Sequence, residues 1–475
     1  MAQTKSVAEL TDRDRRITLL SLSMVLFVSI LDISAVNVML PSIGRDLHAT
    51  TEQLQWVVDI FMVVLASILM FAGSMGDRFG RRRALIQGLT IFGLGSLLSA
   101  IAIGPQMLIA ARAVQALGGA TMPPVALAII GNVFLDNAQR ARAIGVWGAI
   151  QGISLAVGPL IGGVLTDVAS WRWVFGINVP IVAITGFLIM RTVPETKAAH
   201  ARKFDPAGQV LAMVLLVSLS YAIIRVGEHG SNLVSSILFA VAALSLAGFV
   251  VVERTVNEPM LELRFFKSMP FTLANLIALF AFASNTGFSF INALFLQNEM
   301  GFSPLAAGAF LVPMAICTGA LAMVSGRMVA ARGARPSLIL HAILIGLSGG
   351  ALLTTASVDN PWIVYLIASI LLGSAMGAAN AALNNTALSG MPRSQAGVAG
   401  ATMGVARQTG QAVGVAIFGA LYNAGLRSGT SAAQAALPNW WIMVGSAAII
   451  LTLAIISGTP WARSSENTVA ELIAD

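Results

Sequence analysis

Residues 73–83 read Gly73-Ser74-Met75-Gly76-Asp77-Arg78-Phe79-Gly80-Arg81-Arg82-Arg83, and long apolar stretches flank them on both sides. Four arginines and an aspartate do not belong in hydrocarbon, where each charge costs at least roughly 2.5 kcal/mol. The glycines suit a tight turn. The stretch therefore reads as a short water-exposed loop between two membrane spans, and its arginines put it on the inner face.

The rest of the chain agrees. Of its 475 residues, 57% are hydrophobic and only 10% charged, against roughly 25% charged in soluble domains. Mean hydropathy is +0.83. An ordinary soluble protein is excluded. The 45 glycines suit helices that approach closely in lipid. With Cys317 as the single cysteine, neither a disulfide framework nor a Cys-rich metal site is expected. A net charge of +7 would point to nucleic acid in a soluble chain. Here it reads as arginine and lysine held at the inner membrane face, and no nucleic-acid partner is expected. The first 16 residues are polar and a full-length span follows, so no cleavable signal peptide is expected.

A spanning helix needs about 20 mostly apolar residues. Fourteen are predicted, at 17–40, 53–75, 84–103, 107–130, 141–165, 174–192, 207–225, 232–252, 270–296, 305–330, 336–356, 361–388, 397–423 and 438–459. With the N-terminus inside, inner loops and tails hold 22 of the 28 Lys and Arg residues. The outer side holds Arg45, Arg172, Arg225 and Arg427, while Arg112 and Arg407 fall within spans. This is the positive-inside pattern, and it predicts that both termini are cytoplasmic.

The chain also repeats itself. Gly73, Asp77 and Gly80 match Gly326, Ala330 and Gly333 at a constant offset of 253 residues, with the aspartate lost in the second copy. The expected architecture is an all-α membrane bundle of two six-helix halves, 17–192 and 270–459, around an inserted helix pair within 193–269. Segments 1–16 and 460–475 are cytoplasmic ends. Parallel halves of this kind put a substrate site between them near the bilayer midplane.

Few groups within the spans can carry chemistry. Asp32 and Asp59 are the clear acids, on the two arms of one hairpin and both in its outer half. An acid at such depth faces a water-filled cavity or a partner, and two neighbouring carboxylates repel until one takes a proton. Local hydrogen bonding alone is the other reading. Arg112 in span 4 is the natural counter-charge. In span 5, glycines at 148, 152, 158 and 162 allow close approach on one side, and Pro159 bends the helix. Asn380 and Asn384 lie one turn apart in span 12, and Gln411 in span 13, where they line a cavity or tie helices together. Glu299 and Asp359 fall in outer loops. The 20 methionines and 22 phenylalanines suit an adaptable apolar pocket. The four histidines (48, 200, 229, 341) are too scattered for a membrane-embedded enzyme, and no phosphate-binding loop for ATP is present.

The loop pattern G-x-x-x-D-R-x-G-R-R resembles the signature loop between helices 2 and 3 of the major facilitator superfamily. Arg112-Ala-Val-Gln115 resembles its R-x-x-Q-G motif, with Ala116 in place of the glycine. Gly158-Pro159-Leu160-Ile161-Gly162-Gly163 resembles the motif of its antiporters. Leu31-Asp32-Ile33-Ser34-Ala35-Val36-Asn37-Val38-Met39-Leu40-Pro41 is similar to the L-D-x-T-x-V-N-V-A-L-P of its fourteen-span drug:proton antiporters. So is Trp171-Arg172-Trp173-Val174-Phe175-Gly176-Ile177-Asn178-Val179-Pro180, whose tryptophans also read as an interfacial belt. Phe61 replaces their usual tyrosine. Arg407-Gln408-x-Gly410-Gln411 fits a family-like R-Q-x-G pattern.

The resemblance implies a cell-membrane multidrug exporter, not an enzyme, driven by a proton gradient without a cofactor or metal. Its expected partners are drug-like, cationic small molecules, protons and membrane lipids, and it is expected to be a monomer. Asp32, Asp59 and Arg112 would couple protons; Asp32, Asp59, Asn380, Asn384 and Gln411 would line the cavity. Gly73, Asp77, Arg78 and Gly80 would form a conformational latch. Gly148, Gly152, Gly158, Pro159, Gly162 and Gly163 would form the antiporter helix. The alternatives are an exporter of one compound (an antibiotic, an amino acid or a lipid) and an importer, which the span-5 motif disfavours.

Overall fold

The computed structural model describes residues 10–134, 136–197, 205–256, 259, 261–358, 360–389, 391 and 396–465, and among them there is no strand. In chain order the helices are α1 (Asp12–Leu47), α2 (Thr51–Phe79), α3 (Arg81–Ala100), α4 (Pro105–Val133), α5 (Asn137–Val168), α6 (Arg172–Gly176) and α7 (Asn178–Thr192). Then come α8 (Pro206–His229), α9 (Leu233–Thr255), α10 (Met269–Leu294), α11 (Pro304–Phe310) and α12 (Val312–Arg332). The last long ones are α13 (Arg335–Leu352), α14 (Trp362–Leu388), α15 (Ala396–Arg427) and α16 (Ala432–Ser457).

Every one of the fourteen predicted spans carries helix. Thirteen helical stretches are long and apolar enough to cross a membrane. The other predicted span lies in α15, which is ample in length at 32 residues. Arg407, Gln408 and Gln411 dilute its apolar character. The chain is a multi-pass membrane protein.

Local chemistry sets the helix ends. At the start of α1, Thr11 and Asp14 form a reciprocal cap: the Asp14 amide donates to Thr11 Oγ1 at 3.2 Å and the Thr11 amide to Asp14 Oδ2 at 3.1 Å. Thr50 and Gln53 repeat the device on α2. Helix α1 runs past its predicted end at residue 40, with Pro41 inside it, to a left-handed cap at His48. Predicted span 6 is interrupted at Ile177, and predicted span 10 at Leu311, just before Pro313. Gly80 alone separates α2 from α3, at φ 110°, a conformation open to glycine and few others.

By contact the chain divides into two units, Met1–Gln209 with Ser303–Ala309, and Val210–Phe302 with Phe310–Asp475. In the first, α1 packs on α5 and α7, α4 on α2 and α3, and α3 on α7. In the second, α10 packs on α15 and α16, α14 on α12 and α13, and α13 on α16. The two partner lists are the same list in order, so the internal repeat is structural. Gly333 closes α12 with φ 77°, as Gly80 closes α2.

The repeat extends to a close helix crossing. A Cβ on Gly162 would lie 3.1 Å from the Ala35 carbonyl oxygen, and one on Gly158 3.2 Å from that of Leu31. In the second unit, Cβ atoms on Gly410 and Gly414 would lie 2.4 and 2.3 Å from the carbonyl oxygens of Leu279 and Ala283. That register puts Phe280 where the first copy has Asp32. The second unit thus keeps the packing and drops the acid.

Candidate functional site

Asp32 sits on the α1 face buried by α4 and α7, and its side chain has no exposure to solvent. Its Oδ2 accepts from Arg112 Nη1 at 2.5 Å. Its Oδ1 accepts from Gln115 Nε2 at 2.8 Å and Asn178 Nδ2 at 3.0 Å. Behind them Ser96 Oγ on α3 accepts from Gln115 Nε2 at 2.8 Å, and Gln115 Oε1 accepts from Arg112 Nη1 at 2.6 Å. The 3.6-residue period explains the pair on α4: Arg112 and Gln115 are one turn apart on one face.

The guanidinium is held on its other sides too. Its Nε donates to the Val57 carbonyl of α2 at 3.3 Å. Its carbon lies 4.3 Å from the centroid of the Phe61 ring and 5.5 Å from that of Phe175, a geometry in which an aromatic face attracts a cation. One buried ion pair therefore ties together α1, α2, α3, α4, α6 and α7.

Every group touching the Asp32 carboxylate is a donor. Removing one partner of such a buried ion pair costs about 3–5 kcal/mol.

The other predicted site residues are placed as follows. Asp59 is fully buried on α2, two residues after Val57. Asn380 donates to the Met376 carbonyl of its own helix at 3.3 Å. Asn384 accepts from Arg407 Nη2 at 2.8 Å, and Gln411 is half-buried one turn further along α15. Gly158, Gly162 and Gly163 are packed tightly, whereas a Cβ on Gly148 or Gly152 would meet nothing within 4 Å. Half of the expected close approach along α5 is therefore absent in this conformation; those two glycines face open space. Pro159 lies inside α5.

In the basic loop, the backbone of Gly73 and Asp77 belongs to α2, and their side chains lie outside the described residues. Arg78 is exposed. The groups that grip the loop come from the end of α7 and the segment that follows it. The Arg82 amide donates to Glu195 Oε1 at 3.1 Å and the Arg81 amide to the Thr196 carbonyl at 2.9 Å. The Arg82 guanidinium reaches the Met190 carbonyl. An acid thus caps the otherwise uncapped N-terminus of α3.

Sequence reasoning named Gln115 and Asn178 only as motif letters and missed Ser96 and Glu195.

Comparisons with known proteins show the family. The family model described as Major Facilitator Superfamily matches residues 22–415. The chain is 32% identical over 416 residues to Multidrug resistance protein Stp of Mycobacterium tuberculosis, covering 87% of this chain and 77% of that protein. It is 32% identical over 392 residues to Multidrug efflux pump LfrA of Mycolicibacterium smegmatis, covering 82% and 77%. Methyl viologen resistance protein SmvA of Salmonella typhimurium is 31% identical over 406 residues, covering 85% and 82%. A bacterial homologue of the human lysosomal transporter Spinster shares the fold, with a TM-score of 0.65 at 15% identity over 97% of this chain and 99% of that one. The buried charged ring lies wholly inside the matched segment, and this chain is a cell-membrane member of the Major Facilitator Superfamily.

Proposed function

We propose that this protein is a proton-coupled exporter of lipophilic, cationic drugs that works by alternating access, with both termini in the cytoplasm and no cofactor. The observation that carries it is the closed ring of donors on Asp32, a carboxylate whose charge holds six helices together. A proton entering from outside discharges Asp32, the ring opens, and the helices around it are released. Return of the proton to the inside, with drug carried outward, closes the cycle. Because the carboxylate is sealed, a cationic drug competes for it only after the ring has opened. The relatives named for multidrug efflux and for methyl viologen resistance support drug export as the direction.

The test is ethidium efflux from energised cells carrying wild type or Asp32→Asn, with and without a protonophore. Efflux that the protonophore abolishes and the variant lacks is expected. Undiminished efflux by Asp32→Asn overturns the proposal.

A second reading, export of one specific compound, is favoured by relatives named for single antibiotics: the puromycin resistance protein of Streptomyces alboniger and the methylenomycin A resistance protein of Bacillus subtilis. A substrate panel separates the two, since a narrow exporter moves one member only.

A further inference from the structure

The second unit carries an arginine that no described acid answers. Between residues 300 and 465 stand seven arginines, no lysine and a single acid, Asp359, which lies outside the described residues. Arg407 projects from the middle of α15. Its Nη2 donates to Asn384 Oδ1 at 2.8 Å, its guanidinium carbon lies 5.5 Å from the Phe282 ring centroid, and its buried Nε has no partner. Among the described residues no carboxylate pairs with it, whereas Arg112 of the first unit is neutralised by Asp32. A cation inside a membrane bundle normally finds a counter-charge or lines a path for one.

The bond to Asn384 has a chemical consequence. A guanidinium offers only donors, so the carboxamide must turn its oxygen to Arg407, leaving its NH2 as the free end. Asn384 lines a groove of about 440 Å3 between α12 and α14, together with Asn385, Ser389, Val329 and Leu388. The groove therefore offers polar donors backed by a cation, beside an apolar wall. Arg327, exposed next to Gly326 at the groove's edge, adds positive charge, and no acid lines the groove among the described residues.

We propose that this groove binds the anionic head of an amphiphile, a carboxylate, sulfonate or phosphate, with Arg407 and Asn384 as its specificity residues and the apolar tail along Val329 and Leu388. The exporter then accepts substrates of both charge signs, using different groups for each. This goes beyond export of cations, and the site's existence does not depend on transport.

The experiment uses the purified full chain in nanodiscs of phosphatidylcholine, with empty discs subtracted. Equilibrium dialysis compares radiolabelled dodecanoate with dodecyltrimethylammonium, two probes of one tail and opposite heads. Wild type is expected to bind dodecanoate saturably. Arg407→Gln should weaken dodecanoate about tenfold or more, as loss of a charged hydrogen-bond partner implies, and leave dodecyltrimethylammonium within about twofold. Arg407→Lys should restore part of the loss. Asn384→Asp keeps Arg407 but neutralises it, and should also lose dodecanoate, which guards against a folding defect of the first variant. Non-saturable dodecanoate binding by wild type, or equal weakening of both probes, overturns the proposal. Adding phosphatidylglycerol identifies the source of the anion: saturable displacement of dodecanoate points to a lipid head, and none points to a free amphiphile, with the site standing in either case. No gradient is needed, so failed ethidium export beside intact dodecanoate binding would sink only the export reading.

Discussion

Asn178, at the first position of α7, donates its amide to Asp32 in the middle of α1 at 3.0 Å, across 146 residues of chain. The same nitrogen lies 3.4 Å from Ser96 Oγ. The carboxylate is therefore aimed from two sides, by Arg112 on one oxygen and by two amides on the other. Asn178→Ala removes one hydrogen bond to a charged group, a loss of about 1.5–3 kcal/mol. Initial ethidium efflux at matched expression should fall about tenfold or more. Asn178→Asp should be worse, since it sets a second carboxylate against the first. Wild-type rates in both variants would show that the bond is idle.

Arg112 makes contacts that a lysine does not reproduce. It reaches Asp32, Gln115 and the Val57 carbonyl at once, and it stacks on Phe61. A lysine supplies one point charge without the planar fork. Arg112→Lys should therefore lose most drug efflux although charge is conserved. Phe61→Leu should lower the thermal stability of the purified protein by an amount corresponding to about 0.5–2 kcal/mol, the range of a buried cation–π contact.

The glycines of α5 should separate into two classes. A Cβ on Gly162 would come within 2.9 Å of Ala35 Cβ, and one on Gly163 within 2.6 Å of the Pro304 carbonyl oxygen. Alanine at either position should cost about 1–3 kcal/mol through forced separation of packed backbone. Alanine at Gly148 or Gly152 should be neutral or slightly stabilising, because there is space and helix propensity improves. Melting curves of the four variants test the division, which is wrong if all four fall together.

Glu195 and the turn at Gly80 belong together: Gly80 φ is 110°, and a Cβ there would strike the Glu195 carboxylate at 2.6 Å. Glu195→Gln keeps the shape and removes the charge that caps α3. Its pair with Arg83 is long, at 3.8 Å, and the arginine is 74% exposed, so that contact adds little. The expected loss is about 0.3–1 kcal/mol, the usual worth of an acid at a helix N-terminus. It should appear as faster hydrogen exchange at the Arg81 and Arg82 amides, with drug efflux largely kept. Unchanged exchange would remove Glu195 from the loop's support.

Much of this was readable in advance. The fourteen spans, the repeat of the two loops and the isolated intramembrane charges Asp32 and Arg112 all follow from polarity along the chain, because hydrocarbon admits only helices and excludes unpaired charge. Helix ends were less legible: α1 continues through Pro41 because a proline removes a single backbone bond, which surrounding burial tolerates. Beyond Arg112, the partners of Asp32 were not legible. Gln115, Asn178 and Ser96 are polar but uncharged, and nothing in their sequence neighbourhoods distinguishes a ring member from a helix–helix tie.

Sequence by itself determined that this is a membrane bundle of the Major Facilitator Superfamily, with acid and arginine placed within its first half. Only the tertiary structure decided that Asp32 is sealed among donors from two helices, that the matching position of the second half is Phe280, and that no described acid pairs with Arg407. The physical reason is range. Hydropathy and charge act residue by residue and survive in one dimension, whereas a hydrogen bond needs two groups within about 3 Å, and 146 residues separate Asp32 from Asn178 until the helices pack.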